Sequence, residues 1–302
     1  MARSQDHFAD AARRDAWRRS TMTIAEALAE ATAILEIGEV PEARRDANAL
    51  LRLAISRDKA FVIAHPEYTL KTDELECLRE YVERRANHEP LQYIAGMTEF
   101  YGLDFEVTPD VLIPRPETEI IVERAIKLLS EIEDPSVCEI GVGSGCIIVS
   151  ILANVKQAKA IGVDVSDKAL AVAARNAKKN EVTNRLELKI SDVFDRVAER
   201  AFAVIVSNPP YVPKDDLATL QPEVGHFEPH AALSDGSDGL SIIRRIIEGA
   251  PMHLKHGGHL FMEIGFDQGE KVRAMFATEM WKSVEIEPDL QGIPRMVNAA
   301  LK

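Results

Sequence analysis

The sequence has few cysteines, a deficit of basic side chains and no long apolar run. The three cysteines, Cys77, Cys138 and Cys146, show no CxxC or other metal-ligand spacing, and their odd number argues against a disulfide framework. Such usage is typical of a reducing compartment and predicts a cytoplasmic protein. The longest apolar runs, such as Cys146–Ala153, are far too short to span a bilayer, so we expect no association with a membrane.

Charge limits the classes of partner. The chain has 36 lysines and arginines against 49 aspartates and glutamates, a net charge of −13. Nucleic-acid affinity depends largely on basic side chains that neutralise phosphates, so no direct sequence-specific binding of nucleic acid is expected, although a local basic patch stays open. A protein or small-molecule substrate fits this charge better. The histidines show no metal-binding spacing, and we expect no metal site.

A length of 302 residues favours two domains. Residues 1–21 are polar and rich in arginine, with interspersed aspartates, which predicts a flexible extension rather than a secretory signal. Residues 22–92 carry apolar side chains at helical spacing, with helix caps predicted at Thr23 and at Thr72-Asp73, and predict a small helical bundle. Residues 93–113 form the expected link, a hairpin with strands at Thr98–Tyr101 and Asp104–Val107.

The remainder, residues 114–302, alternates apolar strands with helical segments. Buried strands are predicted at 137–140, 160–163, 186–190, 202–206 and 259–262, with a helix over Ser166–Lys179 capped by Ser166. This order predicts an α/β domain with a mostly parallel sheet that is covered on both faces. Two final segments, Ser283–Glu287 and Met296–Leu301, are expected to add an antiparallel edge.

A glycine-rich segment lies where the first of these strands meets its helix. It consists of Gly141, Val142, Gly143, Ser144 and Gly145. Glycines at such a turn let a ligand approach the backbone closely. The spacing is GxGxG and not the GxGxxG of dinucleotide-binding turns, and glycine-rich turns also have purely structural uses. The segment therefore predicts a cofactor site only together with other residues.

Two acids follow the next two strands. Asp164 ends the second strand, where a carboxylate can accept both hydroxyls of a ribose, although it could also cap the helix that begins near Ser166. Asp192 follows the third strand and could accept from an adenine amino group, with Val193 facing the ring. Taken alone, Asp192 is more typical of a turn residue than of a ligand-binding residue.

The tetrapeptide Asn208–Tyr211 follows the fourth strand. Its two prolines end that strand abruptly, because proline cannot donate to a ladder and biases its predecessor toward extended geometry. The predicted platform consists of the Asn208 amide, the carbonyls of Pro209 and Pro210 and the ring of Tyr211. It suits a planar amide or amino nitrogen, which needs acceptors for its hydrogens and a surface for stacking. A tight turn after the strand is the structural alternative.

All four features lie at the carboxyl ends of predicted strands, where open α/β sheets bind ligands. Together they resemble the class I, Rossmann-like methyltransferases that use S-adenosylmethionine to modify planar nitrogens. Such tetrapeptides occur both in adenine-N6 methyltransferases of DNA or RNA and in enzymes that methylate glutamine side chains, so the acceptor stays open at this point.

Three upstream segments narrow the choice: Glu89–Gly96, Phe100–Leu103 and Val111–Glu119, the last with the sequence VLIPRPETE. They closely resemble the HemK/PrmC family, the protein-(glutamine-N5) methyltransferases of peptide chain release factors. The likeness extends from about residue 22 to the C-terminus. It implies methyl transfer from S-adenosylmethionine to the glutamine of the GGQ motif in release factors, with adenine-N6 methylation as the alternative.

The resemblance also implies roles for individual residues. Gly141–Gly145 would bind the methionine and ribose part of the cofactor, Asp164 the ribose hydroxyls, and Asp192 with Val193 the adenine. Asn208, Pro209, Pro210 and Tyr211 would bind the substrate glutamine, with Asn208 also near the cofactor. Asn208, Pro209 and Tyr211 are the predicted catalytic residues. Arg115, Pro116 and Thr118 lie in the segment that would help to shape the pocket, and a monomer is expected.

Overall fold

The computed structural model describes residues 19–199, 202–289 and 291–302. The chain divides into two compact units, one comprising the chain up to Gly96 together with Pro222–Phe227, the other comprising Met97–Gln221 and Glu228–Lys302. The predicted extension, residues 1–21, falls almost entirely outside the described residues. The finer division predicted at residues 92 and 113 stays a prediction.

The first unit is helical, as predicted. Its helices are α1 (Ile24–Ile37), α2 (Ala43–Ile55), α3 (Lys59–Ala64), α4 (Thr72–Ala86) and α5 (Leu91–Ala95), and the short helix α9 (Pro222–Phe227) belongs to the same unit. Thr23 forms the predicted cap of α1, in a capping box with Glu26. The cap predicted at Thr72-Asp73 is wrong, because Thr72 is already helical and Glu74 accepts from the backbone N–H of Lys71.

The core of this unit is a continuous apolar cluster contributed by α1, α2 and α4, with Leu50, Leu51, Leu78 and Val82 fully buried. A buried guanidinium with two carboxylate partners accompanies it. Arg85 donates from Nε to Asp46 at 2.7 Å and from its terminal nitrogen to Glu223 on α9. A buried guanidinium requires such partners, because an unpaired buried charge is strongly destabilising.

The predicted hairpin is present, one residue earlier than expected. Its strands are β1 (Met97–Phe100) and β2 (Leu103–Glu106), joined by Tyr101 and Gly102 with φ of 52° and 71°. Positive φ at both loop residues is the geometry of a type I′ turn, which matches the twist of the strands. The turn therefore takes Tyr101 out of the strand to which the sequence pattern assigned it.

The large sheet of the second unit has the order β5-β4-β3-β6-β7-β9-β8. Its strands are β3 (Ser136–Ile140), β4 (Lys159–Asp164), β5 (Leu186–Ile190), β6 (Phe202–Ser207), β7 (Leu254–Glu263), β8 (Trp281–Pro288) and β9 (Pro294–Leu301). The first five are parallel, and β9 pairs antiparallel with β7 and β8. The predicted parallel sheet and antiparallel edge are confirmed.

Helices cover both faces of this sheet. They are α6 (Glu119–Leu129), α7 (Cys146–Asn154), α8 (Asp167–Lys179), α11 (Ser241–His253) and α12 (Gly269–Arg273). The unit also contains the short helix α10 (His230–Leu233) and 3-10 turns at Pro116–Thr118, Thr183–Arg185 and Lys214–Thr219. Ser166 caps α8 as predicted, by accepting from the backbone N–H of Ala169.

Alternation along β6 separates the two cores of this unit. Val204 and Val206 pack with α6, α7 and α8 on one face, whereas Ile205 packs with α11 and α12 on the other. The three cysteines are free thiols. Burial raises the pKa of the Cys138 and Cys146 thiols. Within the described part of the chain, no helix has the length and apolar character needed to cross a membrane.

Candidate active site

A cavity of about 310 Å³ opens at the carboxyl ends of the parallel strands. Strand β3 has β4 on one side and β6 on the other, so the chain changes direction across the sheet at β3, and ligands of open α/β sheets bind at such a switch point. Among the predicted site residues, those that line the cavity are Gly141, Val142, Gly143, Ser144, Asp164, Asp192, Val193, Asn208 and Pro210. Gly145, Pro209 and Tyr211 lie just outside this lining.

The glycine-rich loop is bent sharply over the end of β3. Gly141, Gly143 and Gly145 have φ of 75°, 54° and 81°, a region that side chains other than glycine rarely adopt. The backbone N–H groups of Gly141 and Val142 both donate to the carbonyl of Val163, which fixes the loop to the neighbouring strand. Gly145 serves packing, since a Cβ there would lie 3.2 Å from the Cβ of Ala173 on α8.

Asp164 is held in the cavity wall by two backbone donors. Its Oδ1 accepts from the N–H of Ser166 and its Oδ2 from the N–H of Gly143, both at 2.9 Å. The structural alternative is thus partly realised, because Asp164 does anchor the start of α8. Each carboxylate oxygen nevertheless retains a lone pair for a ligand hydroxyl.

Asp192 and Val193 lie in a tight turn after β5. Asp192 is half-exposed, and its Oδ1 accepts from Arg245 at 2.9 Å, a partner that the sequence did not predict. Val193 is buried with φ of 51°, which is unusual for a β-branched residue and indicates local backbone strain. The hydroxyl of Ser191 donates to the Val193 carbonyl and accepts from the N–H of Arg196, and so supports this turn.

The end of β6 brings the tetrapeptide to the cavity. The Ser207 hydroxyl donates to the carbonyl of Ile140 at 2.7 Å and joins the ends of β6 and β3. Beyond it, Asn208 and Pro210 line the cavity, while Pro209 is buried. Tyr211 is half-buried and turned toward the sheet, where its hydroxyl donates to Glu263 at 3.0 Å. Burial, followed by the charge of Glu263, raises the pKa of Tyr211.

Two further contacts hold the backbone of Tyr211. Nε2 of the buried Gln268 donates to the Tyr211 carbonyl at 2.9 Å. Gly239 packs against the same carbonyl so closely that a Cβ there would lie 2.2 Å from the oxygen. The position of the tetrapeptide is therefore set by side chains and backbone far along the sequence.

Thr118 and Glu263 form a buried hydrogen-bonded pair beside Asn208. The Thr118 hydroxyl donates to Oε2 of Glu263 at 2.6 Å, and Nδ2 of Asn208 donates to the same hydroxyl at 3.2 Å. Burial raises the pKa of Glu263, against the opposing effect of hydrogen bonds from Thr118 and Tyr211. The sequence had placed Thr118 near the pocket but had given no role to Glu263.

The segment Val111–Glu119 forms another wall, with Leu112, Pro114, Arg115 and Thr118 lining the cavity. Arg115 contacts the buried carboxylate of Glu228, which also accepts from the backbone N–H of Ile113 at 3.2 Å. Glu228 thus anchors both the guanidinium and the backbone of this segment. The sequence did not predict this role of Glu228, because Glu228 lies more than a hundred residues from Arg115 along the chain.

One sequence signal could have found Glu263. Glu263-Ile264-Gly265 at the end of β7 repeats the Glu139-Ile140-Gly141 pattern at the end of β3. Both glutamates are buried strand-end acids that accept from neighbouring elements, Glu139 from the N–H of Ile148 at 3.1 Å. A carboxylate at the end of an apolar strand is thus a useful marker of the site edge in this sheet.

The fold and the cavity at its switch point define a class I methyltransferase. Residues 120–222 match the family described as methyltransferase small domain, and residues 26–96 match the PrmC N-terminal domain. A methyltransferase of Pyrococcus furiosus has the same fold, with a TM-score of 0.50 and 21% identity over 73% of this chain and 98% of that one.

Full-length relatives narrow the class to a family. The chain is 42% identical to the release factor glutamine methyltransferase of Geobacter sulfurreducens, over 87% of this chain and 91% of that protein. It is also 42% identical to the enzyme of the same name from Cereibacter sphaeroides, over 93% of this chain and 99% of that protein. The protein belongs to the release factor glutamine methyltransferase family, as its sequence motifs had indicated.

Proposed function

We propose that the protein transfers the methyl group of S-adenosylmethionine to the side-chain amide nitrogen of the glutamine in the GGQ motif of peptide chain release factors. The observation that carries this proposal is the Asn208 side chain at the cavity wall. Its nitrogen is engaged by Thr118, which leaves its oxygen to accept from a substrate. Such an amide oxygen accepts hydrogen bonds, so it suits the NH₂ group of an incoming substrate amide, which donates them.

The cavity has an acidic lining and the volume of a small-molecule site. Its ionisable lining residues within the described chain are Asp110, Arg115, Glu139, Asp164, Asp192 and Asp235. An acidic surround suits a ligand that carries a sulfonium and an ammonium group, because opposite charges in a partly desolvated site attract strongly. The volume of about 310 Å³ lies at the lower end of the usual range for small-molecule sites.

We assign the cofactor-binding residues from this lining. Gly141, Val142, Gly143 and Ser144 would bind the methionine and ribose part through their backbone, and Asp164 would accept from the ribose hydroxyls. Asp192 and Val193 would flank the adenine, with Oδ2 of Asp192 available because Arg245 contacts Oδ1. Gly145 contributes indirectly, through the packing that sets the loop.

S-Adenosylmethionine supplies an electrophilic methyl group that an aligned nucleophile can attack in line. The lone pair of an amide nitrogen is delocalised into its carbonyl, so this nitrogen is a poor nucleophile. The protein must therefore align the nitrogen with the methyl group. We assign Oδ1 of Asn208 and the carbonyl of Pro209 to accept the two amide hydrogens. Pro210 and Tyr211 would confine the glutamine plane. Positioning of this kind can supply about 7–11 kcal/mol of a barrier.

The accepting oxygens would also stabilise the positive charge that develops on the nitrogen as the new bond forms. Fixed dipoles do this without reorganisation during the reaction. In this site Thr118 holds the acceptor Asn208 before substrate arrives. Gln268 and Glu263 hold Tyr211, which follows the two prolines. A strong base is not required before attack, since the methylated amide is acidic enough to lose its proton readily.

The test is a competition for label. Radiolabelled S-adenosylmethionine is incubated with the protein, a purified release factor, duplex DNA and ribosomal RNA in one reaction. We expect label on the release factor alone. Label on nucleic acid would instead support adenine-N6 methylation, and label on neither would contradict the proposal. Asn208→Ala should abolish transfer with little loss of cofactor affinity, because Asn208 is assigned to the acceptor side.

A further inference from the structure

A chain of hydrogen bonds connects Asn208 to a buried carboxylate. It runs from Nδ2 of Asn208 to the Thr118 hydroxyl over 3.2 Å, and from that hydroxyl to Oε2 of Glu263 over 2.6 Å. Thr118 and Glu263 are each 2% exposed, so solvent does not compete for these bonds. Thr118 ends the 3-10 turn at Pro116–Thr118, and Glu263 ends β7.

The direction of this chain follows from chemistry. An ionised carboxylate can only accept hydrogen bonds, so the Thr118 hydroxyl donates its single proton to Glu263. The hydroxyl can then offer only a lone pair to Asn208, which must present its NH₂ group. Oε1 of Glu263 is occupied by a second donor, the Tyr211 hydroxyl at 3.0 Å. The charge on Glu263 thereby determines which end of the Asn208 amide faces Thr118.

This orientation matters because the two ends of an asparagine amide are nearly equal in shape and opposite in hydrogen bonding. With Nδ2 on Thr118, Oδ1 is the end left for a substrate. In the reverse orientation Asn208 would present an NH₂ group to another NH₂ group, and neither could accept. A site that binds an amide nitrogen therefore needs a device that excludes the reverse orientation.

We propose that Glu263 and Thr118 are positioning residues that fix the polarity of the Asn208 amide, so that its oxygen faces the substrate nitrogen. The inference rests on the proposed function and deepens it. Neither residue touches the reacting atoms in this account. They act through Asn208, and their removal should slow methyl transfer without weakening cofactor binding.

Protonation of Glu263 should have the same effect as its removal. A neutral carboxyl carries a proton of its own and can donate it to the Thr118 hydroxyl. The hydroxyl can then donate its proton to Oδ1 of Asn208, so the direction of both hydrogen bonds is reversed. The groups that act on Glu263 are Thr118, Tyr211, Arg295 and Glu117; the first three favour its charged form, and Glu117 opposes it. Burial is the largest influence and favours the neutral form. Transfer should therefore decline at acid pH.

Thr118→Val and Thr118→Ser form a matched pair for the test. Valine keeps the shape and removes the hydroxyl, whereas serine keeps the hydroxyl. We expect kcat for a release factor to fall about 10- to 100-fold in Thr118→Val and in Glu263→Gln, and to stay within about threefold in Thr118→Ser. The loss should be smaller than the roughly 100- to 1,000-fold caused by removing a preorganised group that contacts the transition state itself. Affinity for S-adenosylhomocysteine, measured by calorimetry, should change less than about threefold in all three.

Glu287→Gln is the control for the carboxylate. Glu287 lies on β8 of the same sheet, is largely buried, and accepts from Arg124 and Asn298 outside the cavity. Its replacement should leave kcat unchanged. Wild-type kcat in Thr118→Val, equal losses in the serine and valine variants, or a parallel loss of cofactor affinity would each overturn the proposal. These outcomes differ from failure of the proposed function, in which the wild-type protein itself labels no release factor.

A measurement without substrate keeps the proposal testable on its own. In protein labelled with ¹⁵N, the Nδ2 protons of Asn208 should exchange slowly with solvent in the wild type and in Thr118→Ser, and faster in Thr118→Val and Glu263→Gln. Equal exchange in all four proteins would mean that the hydrogen-bond chain does not hold this amide, and would overturn the inference whatever the activity.

Discussion

The backbone N–H of Gly143 donates to Oδ2 of Asp164 at 2.9 Å, and this bond joins the glycine-rich loop after β3 to the end of β4. The carboxylate is thus part of the loop's own structure and also part of the cavity wall. Because the N–H of Ser166 engages only Oδ1, each oxygen remains able to accept one more hydrogen bond. The glycine-rich loop and the proposed ribose acceptor form one unit.

Asp164→Asn should weaken cofactor binding. The variant keeps the size of the side chain but removes its charge. Its NH₂ group would face one of the two backbone N–H donors, of Gly143 or Ser166, and could not accept from it. A hydrogen bond to a charged group contributes about 1.5–3 kcal/mol, so affinity for S-adenosylhomocysteine should fall about 10- to 100-fold by calorimetry. Asp167→Asn, at an exposed acid in the first turn of α8, is the control and should bind normally. Equal affinities in the two variants would contradict the role given to Asp164.

Asp192 and Arg245 should differ in importance although they form one ion pair. Both are about half-exposed, and pairs of this kind contribute only ~0–1 kcal/mol to stability. Asp192→Ala should weaken binding of S-adenosylhomocysteine by about tenfold, because it removes the acceptor assigned to the adenine amino group. Arg245→Ala should weaken it less than about threefold. If both variants lose affinity equally, Asp192 acts mainly as a partner of Arg245.

Two glycines in one loop provide a matched test of the tetrapeptide's anchor. Gly236 and Gly239 have the same φ of 75°, but only at Gly239 would a Cβ meet the Tyr211 backbone, at 2.2 Å. Alanine at either position should cost about 1–2 kcal/mol of backbone strain. Gly239→Ala should additionally displace Tyr211 and lower kcat more than tenfold, while Gly236→Ala remains active. Similar activity in both would show that contact with Gly239 does not position Tyr211.

The burial of Glu139 should make the free energy of unfolding depend on pH. Burial raises its pKa well above the ordinary value, the charge of Asp164 adds to this rise, and a hydrogen bond from Ile148 opposes it. The folded state therefore binds this proton more tightly than the unfolded state, and the stability that protonation provides is lost as pH rises from about 4.3 through the folded pKa.

Glu139→Gln cannot titrate, so it should become more stable relative to the wild type as pH rises. The gain in that interval approaches ~1.4 kcal/mol per pH unit. Urea unfolding of both proteins between pH 5 and pH 8 measures the difference. A constant difference, or one that favours the wild type increasingly at high pH, would contradict the predicted direction.

Sequence patterns predicted the fold well because its signals are local. Apolar runs ending at Ile140, Asp164 and Ser207 mark parallel strands, and the side chains of Thr23 and Ser166 mark helix starts. The predicted element bounds were wrong where tertiary contacts or turn geometry determine where a strand begins or ends. β7 begins at Leu254, before the predicted 259–262, and the hairpin shifted by one residue because both Tyr101 and Gly102 adopt positive φ.

Most of the predicted site residues lie at the cavity, since strand-end positions converge in a parallel sheet. What the sequence could not provide are the contacts that hold these residues. Gln268 on the Tyr211 carbonyl, Glu228 on Arg115 and Glu263 on Thr118 all join positions distant in the chain. No local pattern specifies such partners, and they become visible only once the sheet brings the loops together.

The proposed methyl acceptor is a glutamine side chain of a release factor. The most direct measurement maps the methyl group by tandem mass spectrometry after reaction with a purified release factor, with a second release factor in which alanine replaces the GGQ glutamine as control. We predict one added methyl group on that glutamine in the first substrate and none in the second. Methylation of another residue, or equal methylation of both substrates, would exclude this glutamine as the methyl acceptor.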